Sequence, residues 1–591
     1  MQADIQTGAL PIGSEDDPSQ CRLAAQSPQG CPGPVDPVGP DLDSLPVCPD
    51  PSLSFPEHIA FHRESLSLPW CHRDGRLTVA TADLGPANRA RLEARYGGSL
   101  RLERVSKRRL FAGLETRFQR QVLDGAIGDL EHHHPEFSAR RVVTLRQAMV
   151  LLTLPPVVAL ALYLTPVEAN AALLVLLTLA YLANLSFRAV LVWVGAEPAS
   201  GMTPCAGGGS RDLPLYSIIV PLHHEAEVVS SLVEALKALD YPASRIEIAL
   251  VLEADDTATL AAVEAEALDE RFLVLVVPDA LPRTKPKAAN YALAFLRGEF
   301  TVIYDAEDRP EADQLRKAVA AFRAAAPTVA CQQARLNFYN ASENWLTRMF
   351  ALDYALWFDF LLPGLDRLGV PMPLGGTSNH FRTEALRAIW GWDPYNVTED
   401  ADLGIRLARL GLRVTTLDST TYEEAPAELG NWLRQRSRWM KGYMQTWLVH
   451  MRNPARLYRH AGFGGFLGFQ LFVGGTFLTA LCNPLLWTVW LLSMFVGGLS
   501  YMAFLALPLA HVPIVGLFAG NALFTYLAML GPYRRGWLEL TPYGFTAPIY
   551  WALISAASYR GLWHLVVKPW YWDKTRHGRS RVAPQTLDAA R

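Results

Sequence analysis

Apolar positions along this chain gather into three blocks. Residues 148–194, 463–530 and 545–567 are almost wholly apolar. A helix crossing about 30 Å of hydrocarbon needs about 20 such residues, whereas a buried soluble helix is more often about 10–14 long. The blocks therefore predict membrane helices, at 147–165, 169–187, 464–482, 485–507, 512–531 and 545–566. Arg140, Arg141 and Arg146 precede the first span, and Arg188 follows the second. Lys and Arg collect on the cytoplasmic side, so residues 211–453 are expected in the cytosol. The chain is expected as a multi-pass protein of the inner (plasma) membrane. Six spans return 568–581 to the cytoplasm but leave Arg534 and Arg535 outside. The alternative has two long spans, 466–496 and 501–531, with 545–566 interfacial or re-entrant and both basic segments inside. The six-span reading is preferred.

Between the blocks the period changes. Short apolar strands are predicted at 217–221, 246–253, 272–277 and 301–304, with helical stretches between most of them. This alternation predicts an α/β fold with a mostly parallel sheet and ligands at the carboxyl ends of its strands. Residues 55–126 form a smaller α/β unit, with strands at 77–83 and 100–105 and helices at 87–96 and 107–123. Residues 127–146 read as a linker. Residues 1–54, with runs such as GCPGPVDPVGPD, bury too little apolar surface to offset their ordering entropy and are expected to be disordered.

Composition narrows the function classes. Of 591 residues, 50% are hydrophobic and 19% charged, which excludes disorder of the whole chain. A net charge of -3 offers no concentrated basic face, so nucleic acid is not an expected partner. Cys21, Cys31, Cys48, Cys71, Cys205, Cys331 and Cys482 form no CxxC pair, and their spacing suggests neither a zinc site nor a disulfide framework. Glu131-His132-His133-His134 reads as a solvated loop without a helical ligand pair. No basic start followed by an apolar core marks a cleaved signal peptide.

Carboxylates sit where the strands end. Glu225 follows the first, Glu253, Asp255 and Asp256 the second, and Asp305, Glu307 and Asp308 the fourth. Three such groups in one crevice suggest a metal or a polar nucleotide. No GxGxxG is present, so a dinucleotide site is not expected. Asp305-Ala306-Glu307 puts two carboxylates on one side of an extended segment. A hard divalent cation can be held there together with substrate phosphates.

More motifs follow in order: Pro221 with Glu225, Glu253-Ala254-Asp255-Asp256, Lys285-Pro286-Lys287-Ala288-Ala289-Asn290, Asp305-Ala306-Glu307, Gly375-Gly376-Thr377-Ser378-Asn379, Thr398-Glu399-Asp400, Gln435-Arg436-Ser437-Arg438-Trp439 and KPWYWDKTRHG from 568 to 578. Together they resemble the membrane-embedded, inverting family-2 glycosyltransferases of the cellulose synthase and hyaluronan synthase type, over about 215–580. The resemblance implies a nucleotide-diphospho-sugar transferase (GT-A) domain inserted between transmembrane helices. It implies a nucleotide-diphosphate sugar, a UDP-sugar foremost, bound by Glu225, Glu253, Asp255, Lys287 and Asp305. It implies Mg2+ or Mn2+ at Asp305 and Glu307, with Lys287 and Arg438 assisting the leaving diphosphate. Asp400 is the implied base, and Glu399, Gln435, Arg438 and Trp439 the implied binding groups for a glycan acceptor. Residues 568–578 resemble a gating segment, and the product would pass through the spans among membrane lipids.

Three positions depart from the pattern. His224 stands where Asn is common, Glu307 replaces an Asp, and the first motif leaves Glu253 and Asp255 both able to contact the base. Alternatives to polymer extension are single-sugar transfer to a lipid carrier, or an inert transferase domain in a receptor or transporter. Locally, Thr398 could cap the helix 400–410, and 431–449 could be an amphipathic helix on the membrane surface. Residues 55–126 resemble the N-terminal domain of type II secretion ATPases, although no GxxxxGK[ST] loop follows. Some members of that family bind cyclic di-GMP, which stands as one expected partner although their binding motif is not placed in this sequence; a protein-docking or packing module is the preferred reading.

Overall fold

The computed structural model describes residues 59–97, 100–197, 212–496 and 511–575, and besides these 45–46, 48–50, 53, 578 and 580–582. The expected disorder of 1–54 lies almost wholly outside the described residues, as does 497–507 of the expected span 485–507.

The N-terminal unit holds three strands, β1 (Ser67–Arg73), β2 (Arg76–Thr81) and β3 (Arg101–Arg104). β1 pairs antiparallel with β2, and β2 parallel with β3. β1 is not evident in the sequence pattern, because Pro69 interrupts it and its first four residues are all buried. The helix Lys107–His133 is capped by Ser106, whose side chain accepts from the Arg109 amide. It continues well into the segment expected as a linker. Leu110, Leu114, Phe118, Val122, Ala126 and Leu130 recur every fourth residue and bury one continuous face. The expected solvated loop at 131–134 is therefore largely helix end, and the His133 and His134 rings pack 5.1 and 4.7 Å from Trp390. Cys48 is disulfide-bonded, a pairing the scattered spacing does not suggest.

The larger domain contains β4 (Tyr216–Leu222), β5 (Ile246–Glu253), β6 (Phe272–Val277), β7 (Phe300–Ile303), β8 (Arg309–Pro310), β9 (Val329–Phe338), β10 (Asn379–Arg382) and β11 (Arg413–Glu423). They form one sheet in the order β6-β5-β4-β7-β10-β9-β11-β8. The half from β6 to β7 is parallel. β10 runs antiparallel to both β7 and β9, β11 parallel to β9, and β8 antiparallel to β11. All eight residues of β5 are buried, as befits a parallel strand covered on both faces. The four expected strands make up the parallel half.

Among the described residues three helices are long and apolar enough to cross a membrane: Leu145–Leu164, Val175–Gly195 and Pro454–Thr488. The first begins in a capping box at Thr144 and Gln147. The expected spans 464–482 and 485–507 are not separate over the described residues, because helix continues through Pro484 to Val496. The preferred six-span reading is also corrected at Arg534 and Arg535. Arg534 Nη1 donates to the carbonyls of Gly195 and Asp359, each at 3.0 Å, and Arg535 Nη2 lies 2.8 Å from Asp359 Oδ1. Both arginines thus sit on the side of the large domain, where the buried Asp359 carboxylate pairs with Arg535 and backbone carbonyls hold Arg534. The helix Ala547–Val567 touches that domain at both ends. Trp345 Nε1 donates to Thr546 Oγ1 at 2.8 Å, and Lys441 Nζ donates to the Lys568 and Tyr571 carbonyls at 3.4 and 2.7 Å. These contacts match the alternative with both basic segments on one side.

Candidate active site

A cavity of about 1110 Å³ opens at the carboxyl ends of β4, β5 and β7 and reaches in among the apolar helices. At the end of β4 the chain turns sharply, with His224 at φ 55°. The His224 amide donates to the Asp256 carboxylate, and the Glu225 amide donates to Thr259 Oγ1 at 3.0 Å. Asp256 also caps the helix Thr257–Ala265, accepting from the Thr259 amide at 3.2 Å. Its work is structural, and it leaves Glu225 on the cavity wall.

β5 ends at Glu253, which is buried and lines the cavity, whereas Asp255 does not line it and pairs with Arg283 at 3.0 Å. Asp255 also lies 3.8 Å from His223, another lining residue, so it stands at the rim of the cavity. Burial raises the Glu253 carboxyl, and Lys287 opposes that shift from 2.9 Å. Lys287 itself requires a correction as a substrate-binding group. Its ammonium is fully buried, donates to Glu253 and to the Ala280 carbonyl at 3.0 Å, and does not reach the cavity. Lys285, two residues earlier in the same helix, does line it. Lys285 Nζ donates to the Asp305 carboxylate and to the Gly376 carbonyl at 2.6 Å. Burial opposes its charge, but Asp305, Glu399 and Asp400 hold the ammonium above its ordinary value.

Asp305 and Glu307 both face the cavity just beyond β7. Asp308 turns inward, accepting from the Asp305 amide at 2.8 Å and from Thr377. Burial pushes its carboxyl well up, and Asp305 and Glu307 push further. Glu423, from the end of β11, is driven up by burial and by the same three carboxylates. Among the described residues no three His, Cys, Asp or Glu form a complete metal-binding group. A hard cation that takes its remaining ligands from water and phosphate needs only one or two protein carboxylates. Asp305 and Glu307, in a wall with excess negative charge, fit that demand.

Asp400 is the second residue of the helix Glu399–Arg409, and its side chain accepts from the Ala401 amide at 2.8 Å. Burial pushes it up to about 6, and burial together with Asp400 pushes Glu399 to about 8. The expected cap at Thr398 is absent. Its side chain instead packs on Gly442, where a Cβ would lie 2.2 Å from Thr398 Oγ1. Only glycine lets the two segments approach this closely.

Gly442 belongs to the helix Leu429–His450, which also carries Gln435, Arg438 and Trp439. All three line the cavity. Gln435 Oε1 is buried and has no hydrogen-bond partner among the described residues. The Arg438 guanidinium lies 4.4 Å over the Trp572 ring. Burial lowers its pKa, while Glu399, Asp400 and Asp305 oppose that effect. The Trp439 ring is braced by Phe350 at 5.7 Å and Tyr354 at 6.0 Å. Trp432 is fully buried and Met440 and Met444 nearly so, which corrects the picture of a helix lying on a membrane surface.

Lys285, Glu423 and Arg188 line the cavity without a site role in the sequence reading, while Trp572 and Lys574 come from the segment that resembles a gate. Lys285 had a signal, standing first in its motif. Glu423 had none, since its strand was not predicted.

A half-parallel sheet with carboxylates gathered at its strand ends has the layout of a GT-A-like α/β domain. Residues 300–530 match the family model "Glycosyl transferase family group 2", so the chain carries a family 2 glycosyltransferase domain. Curated relatives include "Probable glycosyltransferase YdaM" of Bacillus subtilis, 26% identical over 235 residues, covering 39% of this chain and 56% of the relative. "Probable glucomannan 4-beta-mannosyltransferase 1" of Arabidopsis thaliana is 27% identical, covering 42% and 45%. "Beta-monoglucosyldiacylglycerol synthase" of Nostoc sp. is 27% identical, covering 41% and 52%. The chain spans about half the length of the curated relatives it matches. Among solved structures, a mannosyltransferase from Pyrobaculum calidifontis in complex with GDP-Man and Mn2+ is 21% identical, with a TM-score of 0.39, covering 66% of this chain and 99% of that one.

Proposed function

We propose that the chain is an inverting membrane glycosyltransferase that moves a hexose or N-acetylhexosamine from a nucleotide-diphosphate sugar, a UDP-sugar foremost, onto a growing polysaccharide and passes the product through its own helices. One observation carries this reading. A single cavity joins Asp305 and Glu307, Asp400, and Gln435, Arg438 and Trp439 to the polar side chains Asn184, Arg188, Thr476, Asn483 and Asn521 of the apolar helices. Polar and aromatic side chains such as Tyr181, Asn483, Asn521 and Trp551, set among apolar ones on the cavity wall between the helices, support a glycan as its occupant.

Glu225 and Glu253 form the donor end, and Lys285 and Arg438 offset charge as the diphosphate leaves. Mg2+ or Mn2+ at Asp305 and Glu307 would supply Lewis-acid stabilisation of that leaving group. Asp400 takes the proton of the acceptor hydroxyl, and attack from its side inverts the sugar carbon. Gln435 accepts from an acceptor hydroxyl, and Trp439 offers its face to the terminal sugar.

The test incubates membranes containing the full chain with labelled nucleotide sugars and Mg2+ or Mn2+. High-mass labelled glycan supports the proposal. A small lipid-linked product would replace it with the single-sugar reading, and no transfer from any donor would overturn it. Repeating the assay with cyclic di-GMP tests the N-terminal unit as its receptor.

A further inference from the structure

The N-terminal unit touches the transferase domain at the elements that build the donor end. Glu115, on the helix Lys107–His133, reaches across with one carboxylate oxygen. Its Oε1 accepts from the Val276 amide at 2.8 Å and from the Tyr291 hydroxyl at 3.2 Å. Val276 lies on β6, the edge strand of the sheet, so this bond covers an edge amide that would otherwise be open. The next carbonyl, of Val277, receives the Ala254 amide at 3.0 Å, directly after Glu253. Tyr291 lies on the helix Lys285–Leu293, whose first turn carries Lys285 and Lys287. The same helix is held twice more from the N-terminal unit. Asn290 Nδ2 donates to the Ala126 carbonyl at 3.2 Å, and Arg63 Nη1 donates to the Ala294 carbonyl, just past the helix end, at 3.1 Å.

We propose that Glu115 is a positioning residue for the nucleotide-sugar site, through which the N-terminal unit sets the pose of Lys285, Lys287 and Glu253 and hence the affinity for the donor. The inference rests on the transferase reading above. It goes beyond that reading by giving the N-terminal unit a mechanical role in the reaction. A rigid element that carries binding groups transmits a displacement at one end to the other. Loosening either Glu115 bond lets the lysine-bearing helix and the end of β5 shift together. Burial pushes the Glu115 carboxyl up to about 7. A glutamine therefore mimics its neutral form, and the amide oxygen can accept both bonds.

The test uses the full chain in nanodiscs and three variants, Glu115→Ala, Tyr291→Phe and Glu115→Gln. Donor KM and kcat are measured along with UDP and GDP affinity by calorimetry. Hydrogen exchange is followed over 272–277 and 285–293. Glu115→Ala is expected to raise donor KM and nucleotide Kd roughly three- to tenfold, the scale of lost buried hydrogen bonds, with kcat within about twofold. Tyr291→Phe moves the same constants by less, and Glu115→Gln restores them. Unchanged donor KM in Glu115→Ala, or a Glu115→Gln variant as weak as Glu115→Ala, overturns the proposal. If the wild type transfers no sugar, the transferase reading fails separately, and the exchange data still decide. Faster exchange in both segments of Glu115→Ala, reversed in Glu115→Gln, upholds the clamp, and unchanged exchange overturns it.

Discussion

Lys574 Nζ lies 2.9 Å from Glu225 Oε1, strapping the C-terminal segment across the donor end of the cavity. Trp570, Tyr571, Trp572 and Thr575 line the same mouth. Lys574→Ala is expected to speed hydrogen exchange over 568–575 while changing global stability by less than about 1 kcal/mol, since a part-exposed ion pair contributes little. Transfer falls as the mouth opens to water. Equal exchange in variant and wild type would show that the strap is held elsewhere.

Asp400→Asn keeps the shape of the site and removes the base. Transfer is expected to fall by a factor on the order of 10²–10⁴, while UDP or GDP binding, measured by calorimetry, stays within a few-fold. A variant with normal turnover would sink the assignment of Asp400.

The pH profile follows from the same residue. Burial raises Asp400 to about 6, so the base form predominates only above that pH. Below it kcat should drop about tenfold per unit, as for one required deprotonated group. Glu399, at about 8, stays protonated at neutral pH, and the two titrate as a pair. Glu399→Gln should therefore leave the acid limb within about half a unit. Profiles of kcat from pH 5 to 8 decide the matter, and a limb near pH 4 would contradict a buried base.

Chelation should stop transfer, and Mg2+ or Mn2+ should restore it. Asp305→Ala should lose activity at every metal concentration tested. Glu307→Asp should keep it with weaker metal affinity, since one methylene of reach is lost. Activity that ignores chelator would place charge stabilisation on Lys285 and Arg438 alone.

Gln435→Leu closes an unpartnered acceptor. It should raise the acceptor KM and leave donor binding untouched. Trp439→Ala should do the same and also lower Tm, because the ring is packed between Tyr354 and Phe350. A donor-side defect in Gln435→Leu would place this helix at the wrong end of the cavity.

Much of the parallel half of the sheet was legible in the sequence. β5 and β6 begin and end where their apolar runs do, because a strand buried on both faces is largely apolar; the two exceptions in β5, Glu247 and Glu253, are held by Ser217 and Lys287. β9 and β11 were not legible. VACQQARLNF and RVTTLDSTTYE mix polar residues into buried positions, and their side chains are satisfied by partners far along the chain, such as Gln333 with Thr377 and Thr421 with Gln314. The helix at 107–133 was cut short because a histidine run resembles a loop, while its apolar face continues underneath.

The sequence by itself determined where the apolar blocks lie, which carboxylates end the strands, and the order of the motifs. These are properties of neighbouring residues, and period and spacing carry them. Tertiary structure decided which of two near neighbours faces the cavity. Glu253 lines it while Asp255 is held at its rim by Arg283, Lys285 reaches it while Lys287 is buried behind, and Arg534 and Arg535 close on Asp359 beside the transferase domain. Those choices depend on contacts between segments tens to hundreds of residues apart. A side chain's direction is set by the partner that satisfies its charge, and local pattern does not encode that partner.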